Sequence, residues 1–154
     1  MKIVVLPRLQ CEALPLAAGY AFISITNPRQ APAVLPANAP VLRLGFHDIE
    51  APLPGWTAMT PTHASQVFEF VEGLPASVQT VVVHCEHGAS RSSAIGLTLG
   101  RWLDCAVEWQ GDGVPNPHVL QMLRRAAFAH AMVHPTRWPR AWRVMGVSAP
   151  PATC

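Results

Sequence analysis

Cys85 and Arg91, six residues apart, stand in the stretch Val81-Val82-Val83-His84-Cys85-Glu86-His87-Gly88-Ala89-Ser90-Arg91-Ser92-Ser93. The valine run has the character of a buried strand and the residues after Arg91 are apolar at helical spacing, which makes the residues between them a strand-to-helix loop. Such a loop can aim successive backbone N–H groups at one point, where the positive end of the helix dipole adds to them. The N–H groups of Glu86, His87, Gly88, Ala89, Ser90 and Arg91 are the ring that could circle a phosphate. A cysteine at the floor of that ring has its thiol pKa lowered by the same field and becomes a nucleophile at neutral pH. Arg91 can return its planar guanidinium to two oxygens of the bound anion, a geometry lysine does not reproduce. Gly88 permits the tight backbone, and Ser92 offers a hydroxyl close to the sulfur.

His84-Cys85-x5-Arg91-Ser92 resembles the H-C-x5-R-S/T signature loop of the cysteine-dependent protein tyrosine phosphatases. The length of the chain, and Asn116-Pro117 opening the helix after the next, are similar to the small dual-specificity branch of that superfamily. The resemblance extends over about residues 20–133, with the loop as its specific part and element order as the remainder. It implies phosphomonoester hydrolysis in two steps: Cys85 attacks phosphorus to give a phosphocysteine, and water then hydrolyses it, with no metal or other cofactor. Arg91 and the loop amides would stabilise the equatorial oxygens, and Ser92 the departing thiolate. The substrate would be a phosphorylated protein or a small phosphomonoester.

Such a reaction also calls for a carboxylic acid from a separate upstream loop to protonate the leaving oxygen. Asp48 is the expected donor, because Val41–Phe46 reads as a strand that would deliver it to a sheet end. Glu50 lies two residues further along and has the same chemistry. The segment reads His47-Asp48-Ile49, unlike the Trp-Pro-Asp of the larger tyrosine phosphatases, so both acids stay open here. A non-catalytic module that holds phosphoproteins or other anions is the alternative, and an RNA 5′-phosphatase a lesser one. His84, Cys85 and His87 have poor spacing for a metal and no evident fourth ligand.

The elements that position these residues can be read from apolar runs and caps. Ile3–Leu6, Ala21–Thr26, Val41–Phe46 and Thr80–His84 have strand length, and their apolar character suits strands buried on both faces. Thr60-Pro61 starts a helix over about 61–72 and Asn116-Pro117 starts another that stops at His134-Pro135. Arg91–Leu103 is apolar nearly all round, with Gly96 and Gly100 leaving room for a close neighbour. The expectation is an α/β fold, a central and mostly parallel sheet flanked by helices, forming one phosphatase-like domain over residues 1–154.

Composition agrees with a packed fold. Half of the 154 residues are apolar, 13% are charged and mean hydropathy is +0.23, which excludes a solvated disordered chain. No apolar run has the length of a membrane span, and Met1–Arg8 does not read as an export signal, so a cytoplasmic protein without a membrane partner is expected. Cys11, Cys85, Cys105 and Cys154 are widely spaced and read as reduced thiols. Net charge is +2, but the last five basic residues, all arginines, face no acid after position 112. Trp138 and Trp142 among Arg137, Arg140 and Arg143 outline a candidate nucleic-acid surface. The run is too sparse to be specific for one, and solvated arginines on the last surface segment are the expected reading. Oligomeric state is not legible.

Overall fold

The computed structural model describes residues 1–15, 18–109 and 111–147. Five strands, β1 (Lys2–Pro7), β2 (Tyr20–Thr26), β3 (Val41–Gly45), β4 (Thr80–Cys85) and β5 (Val107–Trp109), form one sheet in the order β3-β2-β4-β1-β5. Every neighbouring pair is parallel, so the expected mostly parallel sheet is parallel throughout. The central strand β4 is buried along its whole length, as its uninterrupted apolar run requires. The period of two sorts its side chains: Val81, Val83 and Cys85 face one core and Val82 the other.

The two faces are covered differently. Helices α2 (Pro61–Glu72), α3 (Arg91–Leu103), α4 (Pro117–Val133) and α5 (Trp138–Met145) pack with the larger core, which holds Phe68, Trp102, Leu99 and Leu123. The opposite face carries the short helix α1 (Arg8–Glu12), with Cys11, and Leu35 and Ala39 from the proline-rich segment between β2 and β3. Helices thus flank the sheet, but an irregular segment does much of the covering on this side. A Cβ on Gly96 would run into Val5 of β1, and one on Gly100 into Val107 of β5, so both glycines let α3 lie close against the sheet.

Helix starts follow their caps. Thr60 Oγ1 accepts from the His63 N–H at 3.2 Å, while His63 Nδ1 accepts from the Thr60 N–H at 3.2 Å, a reciprocal cap with histidine in the place usual for glutamate. Asn116 Oδ1 accepts from the Val119 N–H at 3.0 Å and starts α4.

The basic tail differs from expectation. A single 3-10 turn, Pro135–Arg137, leads into α5, and its arginines are tied to the fold. Glu72 Oε1 pairs with Arg137 at 2.9 Å and Arg140 at 3.3 Å, and Oε2 with His130 at 2.9 Å. Arg143 donates to the carbonyls of Arg101 and Trp102 at the end of α3. These contacts link α5 to α2 and α3, with the arginines beside a carboxylate and at the carbonyl end of α3, where the helix dipole favours a cation. Among the described residues no helix is long and apolar enough to cross a membrane. Cys154 lies outside the described residues.

Candidate active site

Because all five strands run the same way, their carboxyl ends open on one edge of the sheet, and the residues that follow them meet there. Cys85 ends β4 and Arg91 begins α3, with the expected loop between them. Gly88, at φ +70°, is in the left-handed region, and a Cβ there would collide with the backbone of Leu6 and Pro7 at the end of β1. Only glycine fits that bend. The loop is braced from both sides: the Arg8 N–H donates to Glu86 O at 3.2 Å, and Trp109 Nε1 donates to Gly88 O at 3.0 Å. Gly113 packs against Ala89 so closely that a Cβ would clash, and the Asn116 N–H donates to Ser90 O at 3.1 Å.

Cys85 Sγ lies 3.1 Å from Ser92 Oγ, as the sequence anticipates. Burial pushes the thiol pKa up, but the Ser92 hydroxyl, the Ser92 N–H, the Arg91 charge and the Gly88 N–H together outweigh it and leave it below the ordinary 9.0. Cys11 shows the contrast: burial beside Glu12 pushes its pKa up to about 12, so it stays a thiol. His84 points to the other face, where the parallel register sets it beside Ser24, and its Nε2 is 2.9 Å from Ser24 Oγ. Burial lowers its pKa to about 4, so the imidazole is neutral.

Arg91 is 4% exposed. Its Nη1 donates to Asn27 Oδ1 and to Phe46 O, each at 2.8 Å, and both acceptors are neutral. Its Nε is buried without a hydrogen-bond partner, and the nearest carboxylate oxygen, Asp48 Oδ2, stands 3.8 Å away. A buried guanidinium normally satisfies its donors, so the unpartnered Nε of Arg91 sets it apart from the other buried polar groups of this loop.

Asp48 reaches this edge from the segment after β3, where its Oδ1 accepts from Ser90 Oγ at 2.8 Å and Asn116 Nδ2 at 2.7 Å. Glu50 is exposed and takes no part in the hydrogen bonds around the loop. Glu86 contributes its backbone while its carboxylate turns away, 4.0 Å from Arg8 Nη1 and 3.5 Å from Gln30 Nε2. His87 is exposed. Trp56 stacks edge-on against His47 at 4.8 Å on the Asp48 segment, whereas Trp109 is the tryptophan that touches the loop. Among the described residues no three metal-binding side chains gather.

Asn27 and Asn116 are the site residues that motif reading misses. Asn116 is visible in the sequence only as a helix cap, and Asn27 only as the residue after a strand, though strand carboxyl ends are where a parallel sheet collects its functional groups. The arrangement brings a cysteine with a lowered thiol pKa, a buried guanidinium with an unpartnered Nε and a carboxyl group together at one edge of the sheet. No protein-family model, characterised protein or solved structure matches this chain, so the reading rests on these residues and their geometry.

Proposed function

We propose that the chain hydrolyses phosphomonoesters through a phosphocysteine intermediate, acting on phosphotyrosine, and on phosphoserine or phosphothreonine, in proteins. The observation that carries this reading is the buried Arg91 with an unpartnered Nε, beside a cysteine whose thiol pKa is lowered by Ser92 and Arg91 against the effect of burial. In the first step the Cys85 thiolate attacks phosphorus, the bond from phosphorus to the ester oxygen breaks, and Asp48 transfers its proton to that oxygen. In the second, water attacks phosphorus, the sulfur–phosphorus bond breaks, Asp48 recovers a proton from the water, and Ser92 donates a hydrogen bond to the returning thiolate. Loop amides and Arg91 hold the equatorial oxygens throughout.

Release of phosphate from p-nitrophenyl phosphate tests the reading. The wild type turns over, while Cys85→Ser loses roughly a thousandfold or more of kcat and still binds phosphate, because a serine hydroxyl is a far weaker nucleophile than a thiolate. Near-normal activity of Cys85→Ser overturns it. Phosphate binding by a wild type that never turns over supports instead an anion-binding module, in which Asp48 serves to brace the loop through Ser90 and Asn116. An RNA substrate loses its main argument, since Arg137, Arg140 and Arg143 are engaged with Glu72 and the end of α3.

A further inference from the structure

We infer that Asn27 is a positioning residue that aims Arg91 at the bound phosphate while leaving the guanidinium charge uncancelled, an inference that rests on the anion-binding reading above. The Asn27 side chain has one hydrogen bond among the described residues, to Arg91 Nη1 at 2.8 Å. Its backbone is fixed independently: β2 ends at Thr26, the Gln30 N–H donates to Asn27 O at 3.1 Å, and the Asn27 N–H donates to Gln30 Oε1 at 3.3 Å. Gln30 in turn reaches Glu86 of the loop, so the turn and the loop are held in one frame. Asn27 and the Phe46 carbonyl occupy Nη1 from the protein side, which leaves Nε without a hydrogen bond, 3.8 Å from Asp48 Oδ2.

The chemical type of the acceptor matters as much as its place. An amide oxygen orients the guanidinium without neutralising it. A carboxylate at the same position would form a charge-assisted pair, hold Arg91 at least as firmly, and compete with the phosphate dianion for its charge. Asparagine is nearly isosteric with aspartate, so the two roles, anchoring and keeping the charge free, can be separated by one substitution.

Asn27→Asp keeps the anchor and adds a negative charge. It should raise the inhibition constant for orthovanadate roughly tenfold or more and move the Cys85 thiol pKa upward, as followed by iodoacetate alkylation against pH, with thermal stability unchanged or improved. Asn27→Ala removes the anchor and keeps the charge. It should lower kcat on p-nitrophenyl phosphate about tenfold or more while the thiol pKa stays closer to that of the wild type. Vanadate inhibition and thiol pKa in folded Asn27→Asp equal to those of the wild type would overturn the inference and leave the phosphatase reading intact. A wild type that neither turns over nor binds vanadate or phosphate overturns both.

Discussion

Asp48 presents two oxygens in different circumstances. Oδ1 receives donors from Ser90 and Asn116, and Oδ2 stands 3.8 Å from Arg91 Nε with no such donors. An oxygen that already accepts two hydrogen bonds is the poorer place for a proton, so in the proposed reaction Oδ2 is the oxygen that would deliver one to the leaving group. Asp48→Asn should therefore slow hydrolysis of phosphotyrosine and phosphoserine peptides by about a hundredfold, but that of an activated aryl phosphate only slightly, since a good leaving group departs without a proton. Glu50→Gln removes a charge from the same segment and should show no dependence on the leaving group. A hundredfold loss in both substrates, or the dependence appearing in Glu50→Gln, would displace Asp48 from the role. The proximity of Cys85 and Ser92, and the place of Arg91 at the helix start, were legible in the sequence because one strand end, a short loop and one helix turn bring them together. Asn27 was not, because its only tie to Arg91 spans the sheet and depends on which strand lies beside β4.

Helix α3 ends on an aspartate rather than a glycine. Asp104 sits at φ 56°, ψ 53° in the left-handed region, where a Cβ is strained, and its negative charge lies at the negative end of the helix dipole. Asp104→Gly should stabilise the fold by about 0.5–1 kcal/mol, measured as a higher urea midpoint at constant m-value. Asp104→Asn removes the charge but keeps the Cβ, and should recover less. No gain from either would mean that this helix end is not a weak point. Elements with long patterns were legible: α2 and α3 have the bounds that the caps and apolar spacing predict. Three others were too short or too mixed. Helix α1 has five residues and β5 three, with the exposed Glu108 in the middle, so neither completes a recognisable period. Helix α5 was hidden by its charge, although Pro139 in the first turn is an ordinary helix start.

His84 and Glu72 are prominent among the groups that set how the whole molecule responds to acid, with the half-buried His63 and with Glu12 shifted in the same downward direction. His84 has an ordinary pKa of 6.5 and a folded one of about 4, so between those values the unfolded chain takes up a proton that the folded chain refuses. Stability is therefore unaffected above the upper value and falls through that window as pH drops, by roughly 3 kcal/mol in all. Glu72, buried but held below its ordinary value of 4.5 by His130, Arg137 and Arg140, contributes stability that is present above that value and lost below it. Urea unfolding measured from pH 7.5 downward should show a steady loss beginning near neutrality, and His84→Gln should flatten its upper part. An unchanged slope in that variant would assign the loss to other groups. The parallel sheet has a different consequence, concerning when the loop around Cys85 is braced. Lys2 of β1 pairs with Thr80, and Ile3 with Val107, so the earliest strand waits for partners from the far part of the chain. The bend at Gly88 leans on the backbone of Leu6 and Pro7, and Arg8 holds the Glu86 carbonyl. A nascent chain in which β1 has not yet docked lacks those braces, so the loop whose Ser92, Arg91 and Gly88 lower the Cys85 thiol pKa takes its final shape only when synthesis has supplied the closing strands and the sheet has assembled.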